Sequence, residues 1–215
     1  MSTATTTHFP TAGTELEGEL TLPPGAHGIV VFAHGTGSSR HSPRNRRVAA
    51  ELNRRSLATL LVDLLTADEE VADARARDLR FDIGMLANRV IGLVDWLGAE
   101  AGTRSLPLGL FGASTGAAAA LVAAASRPGD VHAVVSRGGR PDLAGPALIQ
   151  VTAPTLLIVG ERDVPVVELN EQARNAMTVA AELRIVPGAT HLFEEPGTLE
   201  IVAEEAGTWF ATHLR

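Results

Sequence analysis

Unbroken apolar runs such as Ile29-Val30-Val31-Phe32 and Leu156-Leu157-Ile158-Val159 recur along the chain, too short for helices and lacking the alternation of a half-wet strand. A strand of that kind is buried on both faces, which a parallel sheet covered by helices provides. Strands are predicted at 16–22, 28–33, 58–63, 106–111, 132–136, 155–160 and 183–186. The first differs from the rest, because Leu16, Gly18, Leu20 and Leu22 alternate with Glu17, Glu19 and Thr21. It reads as an antiparallel edge strand. Helical patterns fill the gaps: 43–55, a charged stretch from 68 to 80 running on to 99, 115–125, 165–180 and 198–214. Alternation of this kind predicts a doubly wound, mostly parallel α/β sheet. Ser42 before Pro43 marks one helix start, and Pro128-Gly129 one helix end. With 215 residues the chain is expected to form a single domain, 1–215, with no lid domain and a flexible or loosely packed stretch at 1–12.

Composition narrows the chemistry. There are no cysteines and no tyrosines, and all 18 basic residues are arginine. Thiolate nucleophiles, thiolate metal sites, Schiff-base lysines and a P-loop lysine are thereby excluded. Acids, bases and nucleophiles must come from seven His, the 25 Asp and Glu, Ser or Thr. A net charge of −7 with dispersed arginines argues against nucleic acid as a partner. The apolar runs are far short of a membrane span, and the threonine-rich start does not read as a signal peptide, so no membrane association and a cytoplasmic location are expected. No cofactor and no metal are expected; the oligomeric state is left open.

In an open α/β sheet ligands collect at the carboxyl ends of the strands, so the residues just after each apolar run carry the information. Gly112-Ala113-Ser114-Thr115-Gly116 has the G-x-S-x-G form between a strand and a helix. That is the setting of a nucleophile elbow, although an ordinary Gly- and Ser-rich βα turn reads the same way. Asp163 follows the 155–160 run and His191 follows the strand ending at Val186. A serine hydroxyl needs an imidazole to take its proton, and the imidazole needs a carboxylate to hold its tautomer. Each of these two alone is an ordinary capping aspartate or loop histidine; with the elbow they form a Ser114, Asp163, His191 set in the expected chain order. Glu161 is the rival acid, and Asp163 is preferred because Gly160-x-x-Asp leaves the strand by a short turn. His34-Gly35-Thr36-Gly37 follows another run, and the backbone N–H groups of Thr36 and Thr115 are assigned to an oxyanion hole, with His34 structural. A dinucleotide-binding reading of Gly35-Thr36-Gly37-Ser38-Ser39-Arg40 with Asp63 is the minor rival, since Arg40 replaces the third glycine.

These residues resemble the α/β-hydrolase superfamily, and within it the small dienelactone hydrolase-like esterases. The resemblance covers nearly the whole chain. Its carriers are His34-Gly35-Thr36-Gly37, the elbow at Ser114, Gly160-Glu161-Arg162-Asp163 and Gly188-Ala189-Thr190-His191-Leu192-Phe193. The chain is also similar to the hydrolase module that some bacterial proteins join to a phosphoribosyltransferase, a likeness carried by Ser136-Arg137-Gly138-Gly139-Arg140-Pro141-Asp142; no such second domain is expected within these residues. The resemblance implies Ser114 as nucleophile, His191 as base then acid, and Asp163 as its orienting carboxylate. Dienelactone hydrolases use cysteine at the elbow where this chain has Ser114, so a small, accessible carboxylic ester is the expected substrate rather than a dienelactone. A non-catalytic small-molecule binder on the same fold and an NAD(P)-dependent enzyme are the alternatives. Arg137 and Phe193 are candidate substrate contacts. Arg137, with Arg140 nearby, either meets a substrate carboxylate or braces its loop against Asp142 or Asp163, the latter preferred; Phe193 either lines an acyl pocket or covers the core. Glu194-Glu195 is expected to cap the last helix.

Overall fold

A computed structural model describes residues 4–11 and 13–215. Eight strands form one sheet: β1 (Ala4–Thr11), β2 (Thr14–Thr21), β3 (Ile29–Ala33), β4 (Ala58–Val62), β5 (Leu108–Ala113), β6 (Val131–Arg137), β7 (Thr155–Gly160) and β8 (Ala181–Val186), in the order β1-β2-β4-β3-β5-β6-β7-β8. Pairing is parallel from β4 through β8, while β1 and β2 are antiparallel. The helices are α1 (Pro43–Arg54), α2 (Ala67–Ala76), α3 (Ile83–Ala99), α4 (Thr115–Ser126), α5 (Val164–Ala176) and α6 (Thr198–His213).

Period-2 alternation divides the core into two layers. Ile29, Val31 and Ala33 of β3 pack toward α3 and α4, while Val30 and Phe32 pack with Val48 and Leu52 of α1 and Phe210 of α6. The runs are continuous because both layers draw from the same strand. Ser42 caps α1, its side chain accepting the Asn45 N–H, with proline inside the first turn as expected.

Three expectations are corrected. Residues 4–11, taken as part of a loose 1–12 segment, are a paired edge strand; 1–3 and 12 lie outside the described residues. Phe9 anchors that strand, fully buried and edge-to-face with Trp96 at 4.9 Å between ring centres. Consequently β2 is not the edge but the second strand, inserted between β1 and β4. The stretch 68–99 is not one helix: Thr66 and Glu69 form a reciprocal cap at the start of α2, and Asp82 starts α3 by accepting the Met85 N–H. A segment of 3₁₀ turns, Pro141–Gln150, was not anticipated.

Candidate active site

Ser114 joins β5 to α4 with φ 51° and ψ −124°, a region that non-glycine residues occupy only under strain of about 1–3 kcal/mol. The flanking glycines are required by close approach. A Cβ on Gly112 would lie 2.4 Å from the Ala117 Cα, and one on Gly116 would lie 2.2 Å from the Ala33 carbonyl oxygen. The backbone holds the turn from both sides: the Ser114 N–H donates to the Arg137 carbonyl at 3.3 Å, and the Arg140 N–H donates to the Ser114 carbonyl at 3.1 Å.

Asp163 occupies the N-cap position of α5, yet its carboxylate makes no capping bond. It reaches instead to the loop beyond β8, where Asp163 Oδ2 lies 2.6 Å from His191 Nδ1. An ionised carboxylate there keeps the proton on Nδ1 and leaves Nε2 as a base. The rival acid is otherwise engaged, since Glu161 Oε2 accepts the Gly188 N–H at 2.7 Å. The His191 loop is also tied down by Glu195, whose Oε2 accepts the Thr190 N–H at 3.1 Å and whose carboxyl that bond holds below the usual range. Glu195 therefore does not cap α6 with its side chain, and Glu194 pairs with Arg44 at 3.6 Å. Gly138 abuts the imidazole from β6, a Cβ there falling 3.5 Å from His191 Cε1. Among the described residues Ser114 Oγ makes no hydrogen bond, so the serine and the Asp163–His191 pair share the strand edge without being joined.

Thr36 and Thr115 are brought together. The Thr36 N–H donates to Thr115 Oγ1 at 3.1 Å, and the two hydroxyls lie 3.1 Å apart. The Thr115 N–H, at the first position of α4, has no acceptor among the described residues. His34 lies behind this loop as a buried neutral ring: the Leu64 N–H donates to Nε2 at 2.9 Å, which places the proton on Nδ1 facing the Gly35 carbonyl at 3.0 Å. Burial lowers its pKa. A cavity of about 340 Å³ opens beside Thr36 and Thr115, walled by Leu65 and Leu86 and by the polar Glu70, Asp73 and Arg80. That volume suits a small molecule.

The remaining candidates separate. Phe193 is fully buried in the layer under α1 and α6, where it covers the core. Arg140 takes Asp142 in a two-pronged pair at 2.8 and 2.7 Å. Arg137 therefore braces against neither Asp142 nor Asp163. Asp63, the acid of the dinucleotide reading, is held by the Arg40 guanidinium and by the Arg40 N–H at 2.6 Å. No cluster of potential metal ligands exists among the described residues, and no described helix is long and apolar enough to cross a membrane. Two contributors escaped the sequence reading. Asn170, buried on α5, donates to the Gly139 carbonyl at 3.0 Å and so steadies the loop after β6. Arg44, at the start of α1, carries a buried Nε with no partner among the described residues and reaches Glu194 beyond His191.

The dienelactone hydrolase family model matches residues 16–211. This chain belongs to the dienelactone hydrolase family. A dienelactone hydrolase from Anabaena variabilis is 56% identical, superimposes with a TM-score of 0.98 and covers 100% of this chain and 99% of that one. Est1E from Butyrivibrio proteoclasticus shares the fold at a TM-score of 0.80 with 16% identity over 97% of this chain and 98% of its own. The dienelactone hydrolase family member thus has the α/β-hydrolase fold. A Mycobacterium tuberculosis protein provisionally named a phosphoribosyl transferase is 60% identical over 197 residues, which are 92% of this chain and 44% of that protein. The chain thus spans less than half the length of this relative.

Proposed function

We propose that this chain is a serine hydrolase that cleaves small carboxylic esters through an acyl-enzyme. The observation that carries the reading is the conformation of Ser114, held at φ 51° between β5 and α4 by backbone contacts on both sides. A strained turn that lifts a hydroxyl above the strand edge has a use in acyl transfer that an ordinary βα turn lacks. The Asp163–His191 pair supports it, because an N-cap aspartate that forgoes its own helix has been committed to the imidazole.

In the proposed course His191 Nε2 takes the Ser114 proton as Oγ attacks the ester carbonyl. The Thr115 N–H receives the developing oxyanion. The Thr36 N–H, resting on Thr115 Oγ1, is the second donor and exchanges that hydroxyl for the oxyanion. His191 then protonates the leaving alcohol and next activates the water that releases the acid. For this to run, the Ser114–His191 hydrogen bond must close on substrate binding, as catalytic contacts commonly do. The name borne by the tuberculosis relative describes a longer protein; the segment shared with it is 92% of this chain, and the hydrolase family model matches residues 16–211.

The test is intact-mass spectrometry after a fluorophosphonate, run beside p-nitrophenyl esters of increasing acyl length and a Ser114→Ala control. One adduct mapping to Ser114, with turnover lost in the control, is expected. Ester turnover that survives Ser114→Ala overturns the reading. Absence of both adduct and turnover would make the chain a binder built on a hydrolase fold.

A further inference from the structure

Arg137 is the least compensated charge near this edge. It is 8% exposed, and its Nε and Nη1 are sealed from solvent without a hydrogen-bond partner. No carboxylate pairs with it among the described residues: Asp142 is held by Arg140, and Asp163 by His191. The charged neighbour that acts on it is another cation, Arg44 at the start of α1, whose Nε is likewise buried without a partner. Burial and that repulsion push the Arg137 pKa down to about 10, so it is still charged at neutral pH. Arg44 touches Glu194, but at 3.6 Å and with that carboxylate 64% exposed. A buried, unpaired guanidinium is costly, and a second one beside it more so, unless an anion joins them.

The placement indicates which anion. Arg137 continues the row of Ala133 and Val135 that faces α1 and α6, across the sheet from the cavity beside Thr36 and Thr115. Its carbonyl accepts the Ser114 N–H, and the next residue, Gly138, abuts His191. An ester has two arms, and these two places lie to either side of the serine. A carboxylate offsets the charge of only one guanidinium, whereas a phosphoryl group carries nearly two negative charges and three terminal oxygens, enough to match both. We propose that Arg137 and Arg44 form a subsite for a phosphoryl group carried by the ester substrate, so that the preferred substrates are acyl esters of phosphorylated alcohols. The proposal rests on the esterase reading for its substrate half and on the buried arginine pair for its binding half.

The two halves are tested separately on the full chain. Binding is read by thermal shift with inorganic phosphate against acetate at matched ionic strength. Phosphate should raise Tm saturably in the wild type, and the shift should be lost in Arg137→Met and reduced in Arg44→Gln, a residue whose side chain is 29% exposed. Without phosphate, Arg137→Met should melt above the wild type, since it removes an uncompensated buried charge. A melting point below wild type there, or a phosphate shift that survives the substitution, overturns the site. An equal shift from acetate overturns the phosphoryl assignment in favour of a carboxylate. The substrate half is read as kcat/KM for acetylated glycerol phosphate relative to monoacetylglycerol. The ratio should exceed roughly tenfold in the wild type and fall toward one in Arg137→Met, in keeping with the loss of charge-assisted hydrogen bonds. A wild-type ratio near one overturns the substrate assignment. If neither ester turns over and Ser114 takes no fluorophosphonate, the esterase reading fails, while the phosphate shift still decides whether the arginine pair is an anion site.

Discussion

Asp163 shows how one side chain's choice of partner separates function from scaffold. At an N-cap position the ordinary gain is a bond to its own helix, worth roughly 1 kcal/mol. Here the carboxylate spends that bond on His191 Nδ1 instead. Asp163→Asn should accordingly leave circular dichroism unchanged and lower kcat on p-nitrophenyl acetate by roughly three to four orders of magnitude, because the amide no longer fixes the tautomer. A loss under tenfold would remove Asp163 from the proposed mechanism. His34 makes the opposite point, since its ring is committed to structure. Burial depresses its folded-state pKa, so the unfolded chain binds the proton more readily. Its neutral ring stabilises the fold above the unfolded pKa near 6.5, and that contribution is lost as pH falls through the lower folded value. Melting between pH 7.5 and 5.5 should show Tm dropping in the wild type and a shallower drop in His34→Gln. Equal slopes would mean that His34 is not the titrating group.

The elements deliver these residues by close packing of α4 on the sheet. A Cβ on Gly116 would lie 2.2 Å from the Ala33 carbonyl and 2.5 Å from that of His34, and backbone cannot step aside as a flexible side chain can. Gly116→Ala should cost about 1–3 kcal/mol in denaturant melts and also impair ester turnover, because moving α4 moves the elbow. Unchanged stability would show that α4 tolerates a displacement the contacts forbid. At this scale the sequence was legible wherever one element answered to one signal. Continuous apolar runs marked β3 to β7, and the candidate triad could be found because its members lie in the turns and loops that follow β5, β7 and β8. β1 was missed because Thr5, Thr6 and Thr7 read as a polar tail, although β-branched residues suit an edge strand and Pro10 is tolerated there. The 68–99 stretch was read as continuous because the break lies in a capping bond at Asp82 rather than in a glycine or proline. The state of Arg137 was illegible for another reason. Asp142 and Asp163 were both expected at the same strand edge, and only tertiary packing assigns them to Arg140 and His191.

Across the whole molecule, the strain at Ser114 is carried by contacts from many elements, and its removal should reveal its size. Ser114→Gly keeps the turn but relieves a positive φ, worth about 1–3 kcal/mol, while glycine adds unfolded-state freedom costing roughly 0.5–1 kcal/mol. The difference favours the variant. For a domain of this length each kcal/mol shifts Tm by roughly 2–4 °C, so a rise of a few degrees is expected together with complete loss of ester turnover. Ala113→Gly supplies the control, since Ala113 sits in β5 without positive φ and its replacement adds the same freedom with no strain to relieve. That variant should melt below the wild type. If Ser114→Gly also melts lower, the turn stores no strain and its shape follows from ordinary packing. If it melts higher and is inactive, stability has been given up at the residue where the proposed chemistry needs it, the trade-off expected of a working site rather than of a scaffold turn.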